Sequence, residues 1–231
     1  YQMARRLGVP GSAIVFNGAW KPEAALRTAV EDGALVQADG FEELDLLERI
    51  ASERERPVEV ALRIGQLVPG LGAAWDRFGF ALERGEAHGA VRRLAASPHL
   101  RLVGLHAHLG THLAAVAPYR EAARRISALA VEVEEMLGRP LATIDLGGGF
   151  ASSAMLAGTP EGSAPPSFEA YAEAITGELR DVFGDRDVPP ALILESGRAL
   201  VDDAGTLLST VVGTRSLPGG ARGLVLDAGV N

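Results

Sequence analysis

Six short, mostly apolar runs recur along the chain, at residues 13–16, 34–38, 58–64, 102–107, 143–146 and 191–194, and each is closed by glycine or a polar turn. Apolar runs without alternation fit strands buried on both faces, as in parallel sheets, and the segments between them are long enough for crossover helices. Strand and helix therefore alternate six times, which confines the chain to a doubly wound sheet or to most of a (β/α)8 barrel. Past residue 197 the pattern changes. Residues 199–201, 206–212 and 223–226 read as strands with no helix between them, the expected start of a second, β-rich domain, so the division expected is 1–197 and 198–231.

The intervening helices have readable ends. Pro22 suits a first helical turn and Gly33 a left-handed stop, while Asp39 with Glu42 has the form of a capping box ahead of Phe41, Leu44, Leu47 and Ala51. Ser167 is placed to cap a helix with the stripe Phe168, Tyr171, Ile175, Leu179 and Val182, and a helix over 119–137 should stop at Gly138. Residues 158–166 form a loop of Gly, Ser, Pro and Thr; the charge runs 48–56 and 132–135 read as solvated helix faces.

Composition narrows the partners. The net charge of −8 offers no basic surplus to replace phosphate counterions, so neither nucleic acid nor an anionic membrane is the expected partner. No eighteen-residue apolar run and no secretory leader is visible, and a cytoplasmic protein acting on a small molecule is expected. The absence of cysteine removes thiolate chemistry from these residues. Lys21 is the single lysine, so a reaction needing a lysine amine has one candidate here or none. The start at Tyr1 and the stop at Asn231, directly after an apolar run, suggest a piece of a longer polypeptide.

In α/β folds the binding site lies beyond the carboxyl ends of the strands, and polar residues collect there in this chain. Arg63 interrupts an apolar run; 104–112 reads Gly-Leu-His-Ala-His-Leu-Gly-Thr-His; 144–150 reads Ile-Asp-Leu-Gly-Gly-Gly-Phe; 192–198 reads Leu-Ile-Leu-Glu-Ser-Gly-Arg. Three glycines after a strand can cradle an anion with their amides or simply turn tightly, and the spacing is not that of a dinucleotide site. His106 and His108, two apart, should share a strand face, with His112 in the loop beyond. They suit a metal pair, or a ring packed in the barrel or against a flat ligand, and ligand count argues against the metal. His88 and His99 belong to surface contexts. Glu195 ends an apolar strand and needs a partner, either Arg198 in a structural ion pair or a protonated ring nitrogen.

Taken in order, 18–21, 62–64, 77–79, 104–111, 147–149, 195–198 and 227–231 resemble the motifs of the pyridoxal-phosphate-dependent decarboxylases of the alanine-racemase-like fold, with the diaminopimelate decarboxylase branch most similar. The resemblance implies an incomplete TIM-type barrel of about six βα units, pyridoxal 5'-phosphate as cofactor and an amino-acid substrate in a homodimer with its active site at the interface. It assigns Glu195 to the pyridine nitrogen and His108 to the ring face. Thr111, Gly148, Gly149, Gly197 and Arg198 fall to the phosphate, Ser196 to the cofactor site, Arg198 also to the substrate carboxylate, and Arg63 to the ring's neighbourhood. No metal is implied.

The family's Schiff-base lysine is expected upstream and its catalytic cysteine downstream, Lys21 matching a different family position. These 231 residues alone are therefore expected to be inactive. Ser196 stands in place of the family's proline, Thr111 in place of its serine, and Trp75, Asp76 and Arg77 depart from its Ser-Lys. Two other readings stand beside the decarboxylase: a non-catalytic homologue that keeps the barrel, and a metal-dependent (β/α)8 hydrolase using His106, His108 and Asp145.

Overall fold

The computed structural model describes residues 1–71, 77–152, 164–202 and 204–229. Trp75, Asp76, residues 158–163 of the Gly/Ser/Pro/Thr loop, and Val230 and Asn231 of the last motif lie outside them. The chain runs α1 (Gln2–Arg6), β1 (Val15–Phe16), α2 (Glu23–Glu31), β2 (Leu35–Ala38), α3 (Phe41–Ser52), β3 (Val58–Gly65), β4 (Phe80–Ala81), α4 (Glu86–Ala96), β5 (Leu100–His106), α5 (Ala117–Leu137), β6 (Thr143–Asp145), α6 (Phe168–Phe183), β7 (Ala191–Ile193) and α7 (Gly197–Val201). A final hairpin joins β8 (Val211–Ser216) to β9 (Arg222–Leu226).

The six expected runs are neighbours in chain order, β1-β2-β3-β5-β6-β7, all parallel, and the two-residue β4 pairs with the end of β3. No switch of strand order occurs, so the doubly wound alternative falls. Two hydrogen bonds between distant strand ends show the curl. Gln37 of β2 donates from Nε2 to Asp145 Oδ2 of β6 at 2.6 Å, although β3 and β5 lie between them in the sheet. Asn17, just after β1, donates to Glu195 Oε1, just after β7, at 3.2 Å. Side chains can reach across these gaps only if the sheet is rolled into most of a barrel.

Helices cover the outside with the faces their periodicity predicts. Leu44, Leu47, Ile50 and Ala51 of α3 are buried, as are Tyr119, Ala122, Ala123, Ile126, Leu129, Ala130 and Val133 of α5. Ser167 caps α6 by accepting from the Ala170 amide, and Gly33 and Gly138 take the left-handed conformation at their stops.

Four local expectations are corrected. The Asp39–Glu42 capping box does not form: Gly40 is the N-cap, Glu43 takes the Asp39 amide, and the Asp39 carboxylate turns to Arg63 and the Gly79 amide. Residues 199–201 lie in helix α7, because three apolar residues have no periodicity of their own and the Asp202 amide donates to the Arg198 carbonyl. The strand expected at 206–212 spans Val211–Ser216, its register set by the turn at Leu217–Gly220 and by pairing with β9. Glu134, read as part of a solvated face, accepts two bonds from Arg186, at 2.9 and 2.7 Å, and one from the Leu141 amide.

The loop after β6 depends on close backbone approach. A Cβ on Gly148 would sit 2.1 Å from the Glu195 carbonyl oxygen, and one on Gly149, at φ +85°, 2.1 Å from that of Gly110. From outside, Tyr119 donates to the Gly148 carbonyl at 2.9 Å and stacks on Phe150, with Tyr171 edge-on to both rings. Gly148→Ala is expected to cost about 1–3 kcal/mol, the range for inserting a methyl into a packed interior, and Tyr119→Phe about 1 kcal/mol for one lost hydrogen bond. Denaturant unfolding of both variants measures these losses.

Candidate active site

The strand ends meet in a polar layer inside the barrel. Arg63, His106 and Asp145 are register partners on β3, β5 and β6, and all three are buried. Glu195, two residues past β7, brings Oε1 to 3.8 Å from His106 Nε2, and ligating atoms of His106, Asp145 and Glu195 lie within 4.8 Å of one another.

Each member has a distinct electrostatic state. His106 is fully buried, both ring nitrogens lack a hydrogen-bond partner among the described residues, and burial pushes its pKa down to about 3, with Arg63, His108 and Lys21 adding to the effect. It is neutral at physiological pH. Burial pushes Asp145 the other way, up to about 7, despite hydrogen bonds from the Gly147 amide and Gln37; the nearby Glu195 carboxylate adds to the rise. His108 is held below its ordinary value by burial and by Arg63, and its Nδ1 accepts from the Gly148 amide at 3.2 Å.

The sequence expectations sort accordingly. Strand β5 stops at His106, so His106 and His108 do not form a pair on one strand: one points to Asp145 and Glu195, the other leans on the glycine loop. The three residues that approach one another are His106, Asp145 and Glu195, not the His106, His108 and Asp145 set of the hydrolase reading. Arg198 does not pair with Glu195; its exposed side chain lies 3.8 Å from Asp202, and Asp202 accepts from the Ser152 hydroxyl beyond the glycine loop. Thr111 is exposed and directly follows Gly110, against which Gly149 packs. Ser196 and Gly197 open helix α7 next to Glu195. Arg63 bonds Asp39 at 3.0 Å, lies 4.6 Å over the Phe78 ring, and lines a cavity of about 320 Å³ together with Phe78 and His108.

Gln37, Asn17 and Tyr119 were not singled out from sequence. Gln37 is a polar residue in an otherwise apolar β2 run, and that was the available signal. Asn17 and Tyr119 act through partners 178 and 29 residues away and left none.

These residues fit a flat, anionic heterocycle with a basic ring nitrogen. Glu195 presents a carboxylate beside unpartnered buried nitrogens, and His108 is a half-buried planar ring. Gly147 leaves room for that ring, since a Cβ there would lie 2.7 Å from His108 Nδ1. Lys21 is differently engaged: its ammonium is buried and bonded to both Glu43 oxygens and to the carbonyls of Gly18 and Gln37. It ties β1, β2 and α3 together.

Two outcomes follow. Lys21→Met should destabilise by about 3–5 kcal/mol, because Glu43 is left without its cation in a largely buried place, and borohydride reduction in the presence of pyridoxal phosphate should leave the Lys21 peptide unmodified. Because His106 binds a proton less readily folded than unfolded, its neutral form contributes stability that is present above pH 6.5 and lost as the pH falls toward 3. His106→Leu should flatten that part of the stability-against-pH curve, read by thermal melts between pH 4 and 7.

Residues 1–202 match the family model described as "Pyridoxal-dependent decarboxylase, pyridoxal binding domain". The chain is 34% identical to a diaminopimelate decarboxylase of Zymomonas mobilis, over 97% of this chain and 52% of that protein, and 33% identical to one of Actinosynnema pretiosum, over 92% and 48%. The diaminopimelate decarboxylase of M. jannaschii crystallised with L-lysine superimposes with a TM-score of 0.82 at 29% identity, covering 98% of this chain and 52% of that one. The chain thus spans about half the length of the curated relatives it matches. With the rolled parallel sheet, the glycine loop and the strand-end carboxylate all in the family's order, this chain belongs to the pyridoxal-dependent decarboxylases, and its first 202 residues correspond to their pyridoxal-binding domain.

Proposed function

We propose that this chain is the cofactor-holding part of an enzyme that decarboxylates a diamino or basic amino acid, with diaminopimelate the first candidate because the relatives reported above are diaminopimelate decarboxylases. The observation that carries the reading is the meeting of Glu195 with His106 and the Gly147–Gly149 loop at one end of the barrel. Pyridoxal phosphate, when bound, supplies an electron sink for the pair left on the α-carbon as carbon dioxide departs.

The protein's part is to hold and polarise. Glu195 keeps the ring nitrogen protonated, which only an anionic acceptor does strongly. His106, 3.8 Å from Glu195, is neutral and adds no competing positive charge. His108, fixed by the Gly148 amide, would lie against the ring face, and Arg63 is held by Asp39 and Phe78 at the cavity edge. Thr111, Gly149, Gly197 and Arg198 would hold the phosphate through a hydroxyl, backbone amides and a guanidinium, with Gly148 and Ser196 at the same end of the site, and Arg198 would also contact the substrate carboxylate.

No described helix is long and apolar enough to cross a membrane. A cytoplasmic homodimer with its site at the interface is the setting we infer. The β8–β9 hairpin, as the start of a C-terminal β-domain beginning near residue 198, supports a larger assembly, since Leu224 and Leu226 are exposed in this chain.

Glu195→Gln in the full gene product should retain much of its pyridoxal phosphate binding and lose turnover by about 100-fold or more, the lower range for correct placement of a proton. Steady-state rates on diaminopimelate, lysine, ornithine and arginine check both the role and the substrate. A variant left fully active would overturn the role given to Glu195.

A further inference from the structure

Asp145 is the one member of the polar layer for which the proposed function has no use, and it is the most constrained. It is 1% exposed, its two oxygens accept from Gln37 across the barrel and from the Gly147 amide, and Glu195 lies within 4.8 Å. The charged groups around it do not neutralise it. His106 on β5 is neutral, and His108 is held below its ordinary value. Arg63 on β3 is engaged by Asp39, and Lys21 by Glu43. Asn17 donates to Glu195 rather than to Asp145. Asp145, buried and within 4.8 Å of the Glu195 carboxylate, with every neighbouring cation among the described residues neutral or engaged elsewhere, therefore holds a proton more readily than an exposed aspartate.

We propose that Asp145 is the positioning residue for Glu195, holding a proton before the cofactor binds and giving it up when the pyridine nitrogen's N–H comes to face Glu195. The proton balance is simple. Before binding Asp145 is protonated; the ring N–H would donate to Glu195, its positive charge would offset a second carboxylate beside it, and the Asp145 proton would leave to solvent. Gln37 and the Gly147 amide then hold the ionised Asp145 in place, and its like charge turns the Glu195 carboxylate away from it and toward the ring nitrogen. The rise in the Asp145 pKa to about 7 places this exchange in the physiological range. The inference rests on the pyridoxal-phosphate reading.

The test is calorimetric titration of the full gene product with pyridoxal phosphate, in buffers of different ionisation enthalpy, for the wild type and Asp145→Asn. At pH 6 the wild type should release up to one proton more per site than the variant, and at pH 8.5, where Asp145 is already ionised, the difference should vanish. Equal release by both proteins at pH 6 would overturn the proposal. Should Asp145→Asn fold poorly, Gln37→Leu provides the second arm. Loss of the amide that favours the charged form should carry the extra release to higher pH, and an unmoved profile would count against Asp145 as its source. Failure of the wild type to bind the cofactor at either pH would instead remove the functional reading on which the proposal rests.

Discussion

A buried carboxyl group is costly wherever it is unmatched, and Asp145 is met by one bond from across the barrel and one from the loop after its strand. Gln37 of β2 reaches it across the rolled sheet, with β3 and β5 between the two strands, and the Gly147 amide reaches it from the loop that follows. Those two bonds require the sheet to curl and the glycine loop to turn back over the end of β6. The curl then sets Asn17 against Glu195, so the first and last strands face one another through side chains.

The glycine loop is the second consequence. Gly147, Gly148 and Gly149 pack on His108, on the Glu195 carbonyl and on the Gly110 carbonyl, and each contact is too close for a side chain. The loop is thereby fastened to the ends of both β5 and β7, the two strands that bring the imidazole and the carboxylate. Tyr119, Phe150 and Tyr171 close it from outside with an aromatic cluster. Two of its amides are spent within the protein, that of Gly147 on Asp145 and that of Gly148 on His108, so the loop orders the carboxylate and the imidazole on either side of it.

Legibility followed the range of the interaction. The apolar runs, the stripes of α3, α5 and α6, and the Ser167 cap were readable because the signal lies within one element. The Asp39 capping box was misread because its carboxylate found Arg63, 24 positions away, and Gly79, 40 away. Three apolar residues at 199–201 could not show a period. His106 and His108 looked equivalent by spacing and are not, since β5 ends between them. Glu195 and the glycines were found because they close strands, where α/β sites form.

The alternation of apolar runs with amphipathic helices was sufficient by itself to determine a parallel sheet covered by helices, since those two patterns can be buried together in few ways. The ordered motifs were sufficient to indicate the family. Only the tertiary structure decided whether the sheet opened or rolled, that Lys21 is locked to Glu43, and that Asp145 stands beside Glu195. Those outcomes depend on which side chains meet across the barrel. Residues 108 and 178 positions apart are brought together there by the curl of the sheet, and periodicity along the chain cannot register it.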